Sequence, residues 1–321
     1  MREFGPGQRG IAPPGGMLVN KLAPSGFPLQ NHFLPAAPYL TMGLVRQELA
    51  DAALVLLGHG TTLNENSAAV IYQHAAALRD REIFGEVREA FWKQRPHIKE
   101  VMSSLVARRV FIVPMFISEG YFSEEVIPRD LGFAEAELRD GSRVFHRGAQ
   151  TFLYCKPVGT HGRITTVVLK RISEVMAESS APPPAEITLI LAGHGTERNT
   201  NSRKSLERQV ELLRAKNFCH DVHAVFLEEE PRIATCYDLA QTKNLVVVPL
   251  FMSEGLHTQE DIPLLLGERE EVVKQRLERG DAAWKNPTSH HGKLVWYSAS
   301  IGTAPEIADV ILDRVRETAQ D

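Results

Sequence analysis

The sequence predicts an α/β protein made by tandem duplication, with two lobes that each hold a parallel sheet of about four strands flanked by helices. Two observations predict it. Leu57-Gly-His-Gly-Thr61 recurs as Ala192-Gly-His-Gly-Thr196, an offset of 135 (194 − 59). The same offset carries Asn64 to Asn199, Phe91 to Phe226, Pro114 to Pro249 and Ile127-Pro128 to Ile262-Pro263 without a gap. Chance does not hold register over so many positions, so the halves are homologous. Within each half, short β-branched runs alternate with helix-period segments, and such alternation implies a parallel sheet covered on both faces.

Taken from the N-terminus, residues 1–48 are expected to form a loosely ordered tail, because Gly5, Pro6, Gly7, Gly10, Pro13, Pro14, Gly15 and Gly16 crowd its start. Met17 and Met42 stand within it as alternative starts. The N-terminal repeat is expected over residues 49–178 and the C-terminal repeat over 179–321, with the consecutive prolines Pro182, Pro183 and Pro184 favouring a stiff, extended linker. In the second repeat Ile187–Ala192 reads as a buried parallel strand. Asn201-Ser202 can cap the next helix, whose Leu206, Val210 and Leu213 share a face. Val222–Leu227 is a second strand, and Pro231 is expected in the first turn of another helix. Leu245–Phe251 is a third strand, a third helix starts near Glu260, and Leu294–Ala299 with Pro305–Thr318 completes the unit. Past Pro263 the register changes: Val158-Gly-Thr160 meets Ile301-Gly-Thr303 at an offset of 143 (302 − 159). The second repeat therefore holds about eight extra residues, expected around Gly280–His291.

A chain of 321 residues is long enough for two domains, each burying its own core. The net charge of −4 argues against nucleic acid as the main partner. No apolar run reaches the roughly 18 residues needed to span a bilayer, and the start lacks the plan of a secretory signal. Cys155, Cys219 and Cys236 show no Cys-x-x-Cys spacing, which fits a reducing compartment and excludes a cysteine-built metal site. The cytoplasm is the expected location.

Ligands of parallel sheets sit outside the carboxyl ends of the strands. Gly-His-Gly-Thr follows the first strand of each repeat, and Ser253-Glu-Gly-Leu-His257 follows the third strand of the second. His194 and His257 thus fall where two imidazoles can share a divalent metal or accept protons. Taken singly, each is better explained as a residue that caps or hydrogen-bonds its own loop. The comparison of repeats favours a site: His257 aligns with Phe122 and Asp261 with Val126, while the neighbouring Ser-Glu-Gly and Ile-Pro are kept. The first repeat has lost an imidazole and a carboxylate together, and retains His59 as a vestige. Gly193 and Gly195 are expected to let a planar ligand approach the backbone. Glu254 and Asp261 are candidates for orienting an imidazole or relaying protons, against plain readings as a solvated acid and a helix cap.

A strand followed by Gly-His-Gly-Thr, with Val248-Pro-Leu-Phe-Met-Ser-Glu-Gly-Leu-His-Thr-Gln-Glu-Asp-Ile-Pro263 further on, resembles the class II chelatases, most closely the sirohydrochlorin cobaltochelatases of CbiX type and their sirohydrochlorin ferrochelatase relatives. The resemblance covers both halves and implies a chelatase-like fold with lobes related by a pseudo-two-fold axis. It also implies insertion of a divalent metal (cobalt favoured, iron or nickel as alternatives) into sirohydrochlorin or a related tetrapyrrole. His194 and His257 would be metal ligands and catalytic, with Glu254. Gly193, Gly195, Thr196, Arg198, Gly255 and Phe122 would line the substrate. In two-repeat members the histidine pair usually stands in the first half; here it stands in the second. No tightly bound cofactor is implied, the metal being a substrate. The chain would act as a monomer with an internal pseudo-dimer, on a tetrapyrrole and a metal ion, without nucleic acid or membrane.

Two rivals differ in class. A histidine phosphatase needs an arginine directly before its histidine, where Gly58 and Gly193 stand. A metal or tetrapyrrole chaperone without turnover keeps the same residues, and only an assay separates it from an enzyme.

Overall fold

The computed structural model describes residues 48–60, 66–133, 143–177, 181–196 and 200–320. The expected tail, up to residue 47, lies outside them. Strand β1 (Ala53–Gly58) is buried along its whole length, as is β6 (Ile187–Gly193), because helices cover both faces of each sheet. The first sheet also contains β2 (Glu86–Phe91), β3 (Arg109–Pro114), β4 (Val144–Arg147) and β5 (Gln150–Tyr154), in the order β2-β1-β3-β5-β4. The second repeats it with β7 (Asp221–Phe226), β8 (Asn244–Pro249), β9 (Thr288–His290) and β10 (Lys293–Tyr297), in the order β7-β6-β8-β10-β9.

Each sheet has the four parallel strands expected, and a fifth beside them. The fifth is an antiparallel edge strand, β4 on β5 and β9 on β10. Neither edge carries an apolar run that a sequence reading can find. Their hairpins turn where Gly148, and His291 with Gly292, take positive φ. The hairpin is common to both lobes at the 143-residue offset, so the extra residues of the second repeat fall between Pro263 and β9, a span that overlaps the expected Gly280–His291 only upstream of β9.

The other helices are α1 (Asn66–Asp80), α2 (Ile98–Ser104), α3 (Ile127–Leu131) and α4 (Ile164–Ala177) in the first repeat. The second has α5 (Asn201–Arg214), α6 (Cys236–Leu239), α7 (Ile262–Leu265), α8 (Glu270–Glu278) and α9 (Ile307–Gln320). Asn201 is the first residue of α5 rather than its cap; its side-chain amide donates to the Glu119 carbonyl of the other lobe. Pro231 does not open a helix. It sits in a turn whose carbonyl accepts from Phe226 N–H, and a 3₁₀ turn leads from Ile233 into α6.

The last helix of each repeat packs on the sheet of the other: α4 lies against β8 and β10, and α9 against β3 and β5. A reciprocal pair of arginines fixes the exchange. Arg171 of α4 donates to the Ser300 carbonyl and the Thr303 hydroxyl, at 3.1 and 2.6 Å. Arg314 of α9 donates to the Pro157 carbonyl and the Thr160 hydroxyl, at 3.1 and 2.7 Å. The 143-residue offset converts one set into the other, which is the signature of a pseudo-two-fold. Instead of two separate cores, a single apolar core runs through both inner sheet faces, from Leu54 and Phe111 to Leu189 and Val248, with an outer core on each side. Among the described residues, no helix is long and apolar enough to cross a membrane.

Candidate metal centre

In each lobe β1 or β6 has one neighbour reached by each direction of crossover, so the strand order reverses beside it. That reversal opens a crevice at the carboxyl ends. The turn after β6 carries His194, and the segment after β8 carries His257. The rings lie 5.0 Å apart between centroids with planes at 86°. Each side chain is a little under half exposed.

Both rings are oriented through the same nitrogen. His194 Nδ1 lies 2.8 Å from the Gly195 carbonyl, which can only accept, so Nδ1 carries the proton. His257 Nδ1 lies 2.6 Å from Asp261 Oδ2. Each bond leaves Nε2 with its lone pair available, the arrangement that metal-binding imidazoles adopt. His257 does not lie in a loop. It opens a π-helical turn, His257–Asp261, that runs into α7 and brings the Asp261 carboxylate under the ring. Tyr297 O–H donates to the Thr258 carbonyl at 2.6 Å, and Thr258 Oγ1 accepts from Gly255 N–H, pinning the turn to β10 and to the Ser253-Glu254-Gly255 segment. Burial, then the Glu254 charge, pushes the Tyr297 hydroxyl well above its ordinary pKa, so it remains a donor.

Glu254 Oε1 accepts from Ser300 N–H at 2.6 Å, so this oxygen anchors the segment to the turn before α9. Gly193 is buried, and a Cβ there would stand 3.0 Å from Leu206, so its lack of a side chain makes room for the packing of α5. Gly195 takes φ +70°, and Thr196 N–H donates to Glu229 at 3.2 Å. Arg198 lies outside the described residues. Phe122 is half-buried against His59, Trp92 and Phe116, so it fills the first-lobe centre.

That centre keeps the shape without the second imidazole. His59 and Phe122 have ring centroids 4.9 Å apart, and Phe122–Val126 forms the same π-helical turn, held by Tyr154 O–H on the Ser123 carbonyl. Burial, assisted by the Lys93 charge, holds His59 below its ordinary pKa. In the second lobe the Lys93 position is Glu228, whose carboxylate lies 3.8 Å from His194 Nδ1. Glu229 replaces Gln94 and binds Arg203 at 2.8 Å as well as Thr196. Glu228 and Glu229 escape a search for motifs, yet the ungapped register exposes both as acids that replace a cation and an amide.

Among the described residues no set of three or more His, Cys, Asp or Glu side chains surrounds one metal position. The cysteines offer no alternative: burial pushes the thiols of Cys155, Cys219 and Cys236 up to about 12.

The CbiX family model matches residues 53–175 and 188–318. A probable sirohydrochlorin cobaltochelatase of Halobacterium salinarum is 38% identical over 275 residues, covering 83% of this chain and 91% of that one. A multi-domain protein of Deinococcus radiodurans, with structural similarity to chelatases and two additional domains, superposes with a TM-score of 0.67 at 25% identity. The alignment covers 85% of this chain, which spans 56% of that longer one. SirB from Bacillus subtilis with Fe3+ superposes at a TM-score of 0.57 and 19% identity over 84% of this chain and 95% of its own.

Proposed function

This chain belongs to the CbiX family, and on that premise we propose that it inserts a divalent metal, cobalt first, into sirohydrochlorin. The observation that carries the reading is the pair His194 and His257, each with Nδ1 engaged and Nε2 left to bind. Two neutral imidazoles hold a first-row dication firmly enough to strip part of its water, yet leave most of its coordination positions to the incoming pyrrole nitrogens. Thiolates would retain it. Asp261 fixes the tautomer and the orientation of the His257 ring, and the Glu228 carboxylate adds negative charge beside His194.

Charge balance requires that two pyrrole N–H protons leave as one dication enters. Glu228 and Asp261 are the carboxylates nearest the two rings and supply the acceptors. The cobalt preference rests on the name of the Halobacterium relative.

The test is steady-state metalation of sirohydrochlorin by the full chain, with cobalt, iron and nickel supplied separately, and anomalous scattering from cobalt-soaked crystals. Turnover with cobalt and density bridging His194 and His257 is the expected result. Density at those residues without turnover would instead make the protein a metal carrier.

A further inference from the structure

A pocket of about 280 Å3 lies at the junction of the lobes. One wall is the segment after β3, with Glu119, together with Thr160. The facing wall is the first turns of α5, with Lys204, Ser205, Arg208 and Gln209. Asn201 joins the walls through its bond to the Glu119 carbonyl.

Three features mark this pocket as built for a ligand. Lys204 has no ion-pair partner among the described residues, and the Arg208–Glu211 pair is so exposed that water screens it. Gln209 is only 1% exposed; its Nε2 donates to the His161 carbonyl while its Oε1 meets no donor. A buried amide oxygen left without a donor is costly, so a group that brings one is favoured there. Finally, the feature is one-sided. The 135-residue offset replaces Lys204, Ser205, Arg208 and Gln209 by Ala69, Val70, Gln73 and His74, and the His74 ring is already bonded to the Gly302 carbonyl. The cations therefore face the Glu119 segment, whose lobe has lost its imidazole, and are missing opposite Glu254.

We propose that this junction pocket is a carboxylate subsite, which takes one acetate or propionate arm of the macrocycle. Lys204 and Arg208 supply the counter-charge and Ser205 a hydroxyl donor. A water carried in with the carboxylate donates to Gln209 Oε1. The lobes thus divide the work: the second-lobe crevice handles the metal, and the side facing the degenerate lobe anchors the ring. The assignment rests on the reading of sirohydrochlorin as substrate.

The experiment titrates metal-free sirohydrochlorin into the full chain and into Lys204→Ala, Arg208→Ala, the double variant and Lys204→Arg, at low and high salt. Thermal melts confirm that each is folded. Loss of a charged hydrogen bond predicts Kd about tenfold weaker per cation removed, with a shallower salt dependence. KM should rise with Kd while kcat changes much less, and Lys204→Arg should retain most of the affinity. Wild-type Kd and salt dependence in the double variant would overturn the subsite while leaving the proposed function standing. Binding without metal insertion by the wild type would overturn the catalytic reading alone, the subsite then being decided by Kd. Failure of the wild type to bind sirohydrochlorin would overturn both.

Discussion

His194 and His59 sit at equivalent strand ends and make the same bond to the carbonyl of the glycine that follows, yet their surroundings differ in sign. Glu228 stands beside His194, whereas Lys93 and an aromatic cluster stand beside His59. Metal should therefore bind in the second lobe and not in the first. Removing His194 or His257 should nearly abolish metalation, and removing both should cost little more, because ligands of one ion act as a unit. His59→Ala should be far milder; kinetics of the single and double alanine variants on sirohydrochlorin with cobalt decide the matter. Asp261→Asn should keep the fold and weaken cobalt binding about 10- to 100-fold, since a carboxylate behind a ligating imidazole contributes that much. Calorimetric titration with cobalt alone reads this, and wild-type affinity would remove Asp261 from the site.

At the scale of elements, the site is a π-helical turn and a strand-end turn, each held by a neighbour distant in sequence. Gly302 passes so close to the loop after β8 that a Cβ would stand 2.1 Å from the Met252 carbonyl, next to Ser253-Glu254. Gly302→Ala should displace that loop, costing about 1–3 kcal/mol of stability and a larger share of activity. Gly162→Ala, where a Cβ meets nothing within 4 Å, is the control; melts and rates of the two variants make the comparison. Tyr297→Phe removes the bond that ties Thr258 to β10 and leaves a buried carbonyl without its donor. A loss of about 1–3 kcal/mol is expected from chemical denaturation, with weaker cobalt binding as the His257 turn loosens.

At the scale of the whole molecule, exchange of α4 and α9 makes the lobes one cooperative unit, so a single unfolding transition is expected. His74 belongs to this junction: it is 1% exposed and its Nε2 donates to the Gly302 carbonyl at 2.7 Å. Burial holds its pKa below the ordinary value of 6.5, and the Arg81 charge adds to the effect. The folded state consequently binds fewer protons than the unfolded chain. Stability is full above about pH 6.5 and is lost as pH falls through the folded pKa. His59, His161 and His223 are lowered likewise and add to the loss. His74→Gln keeps a donor for Gly302 without a titrating ring, so its Tm should fall less than the wild type's between about pH 7.5 and about pH 5. An identical fall would show that His74 does not contribute.

The duplication, the parallel strands and the histidine pair were legible in the chain itself, because repeated motifs, buried apolar runs and a lost His–Asp couple are all local or register properties. The same register held Glu228 and Glu229, which carry no motif of their own and become meaningful only beside His194 and Thr196. Other features depend on contacts between residues far apart in sequence. The exchange of α4 and α9 turns on Arg171 finding Ser300 and Thr303, and Arg314 finding Pro157 and Thr160. The edge strands β4 and β9 exist because β5 and β10 offer an open ladder, not because their own residues favour a strand. At Gly193 the space a side chain would occupy is taken by Leu206, from a helix that follows in the chain. Sequence by itself determined which two imidazoles stand at the strand ends; tertiary packing decided which nitrogen of each stays free, since hydrogen bonds to Gly195 and Asp261 orient the rings.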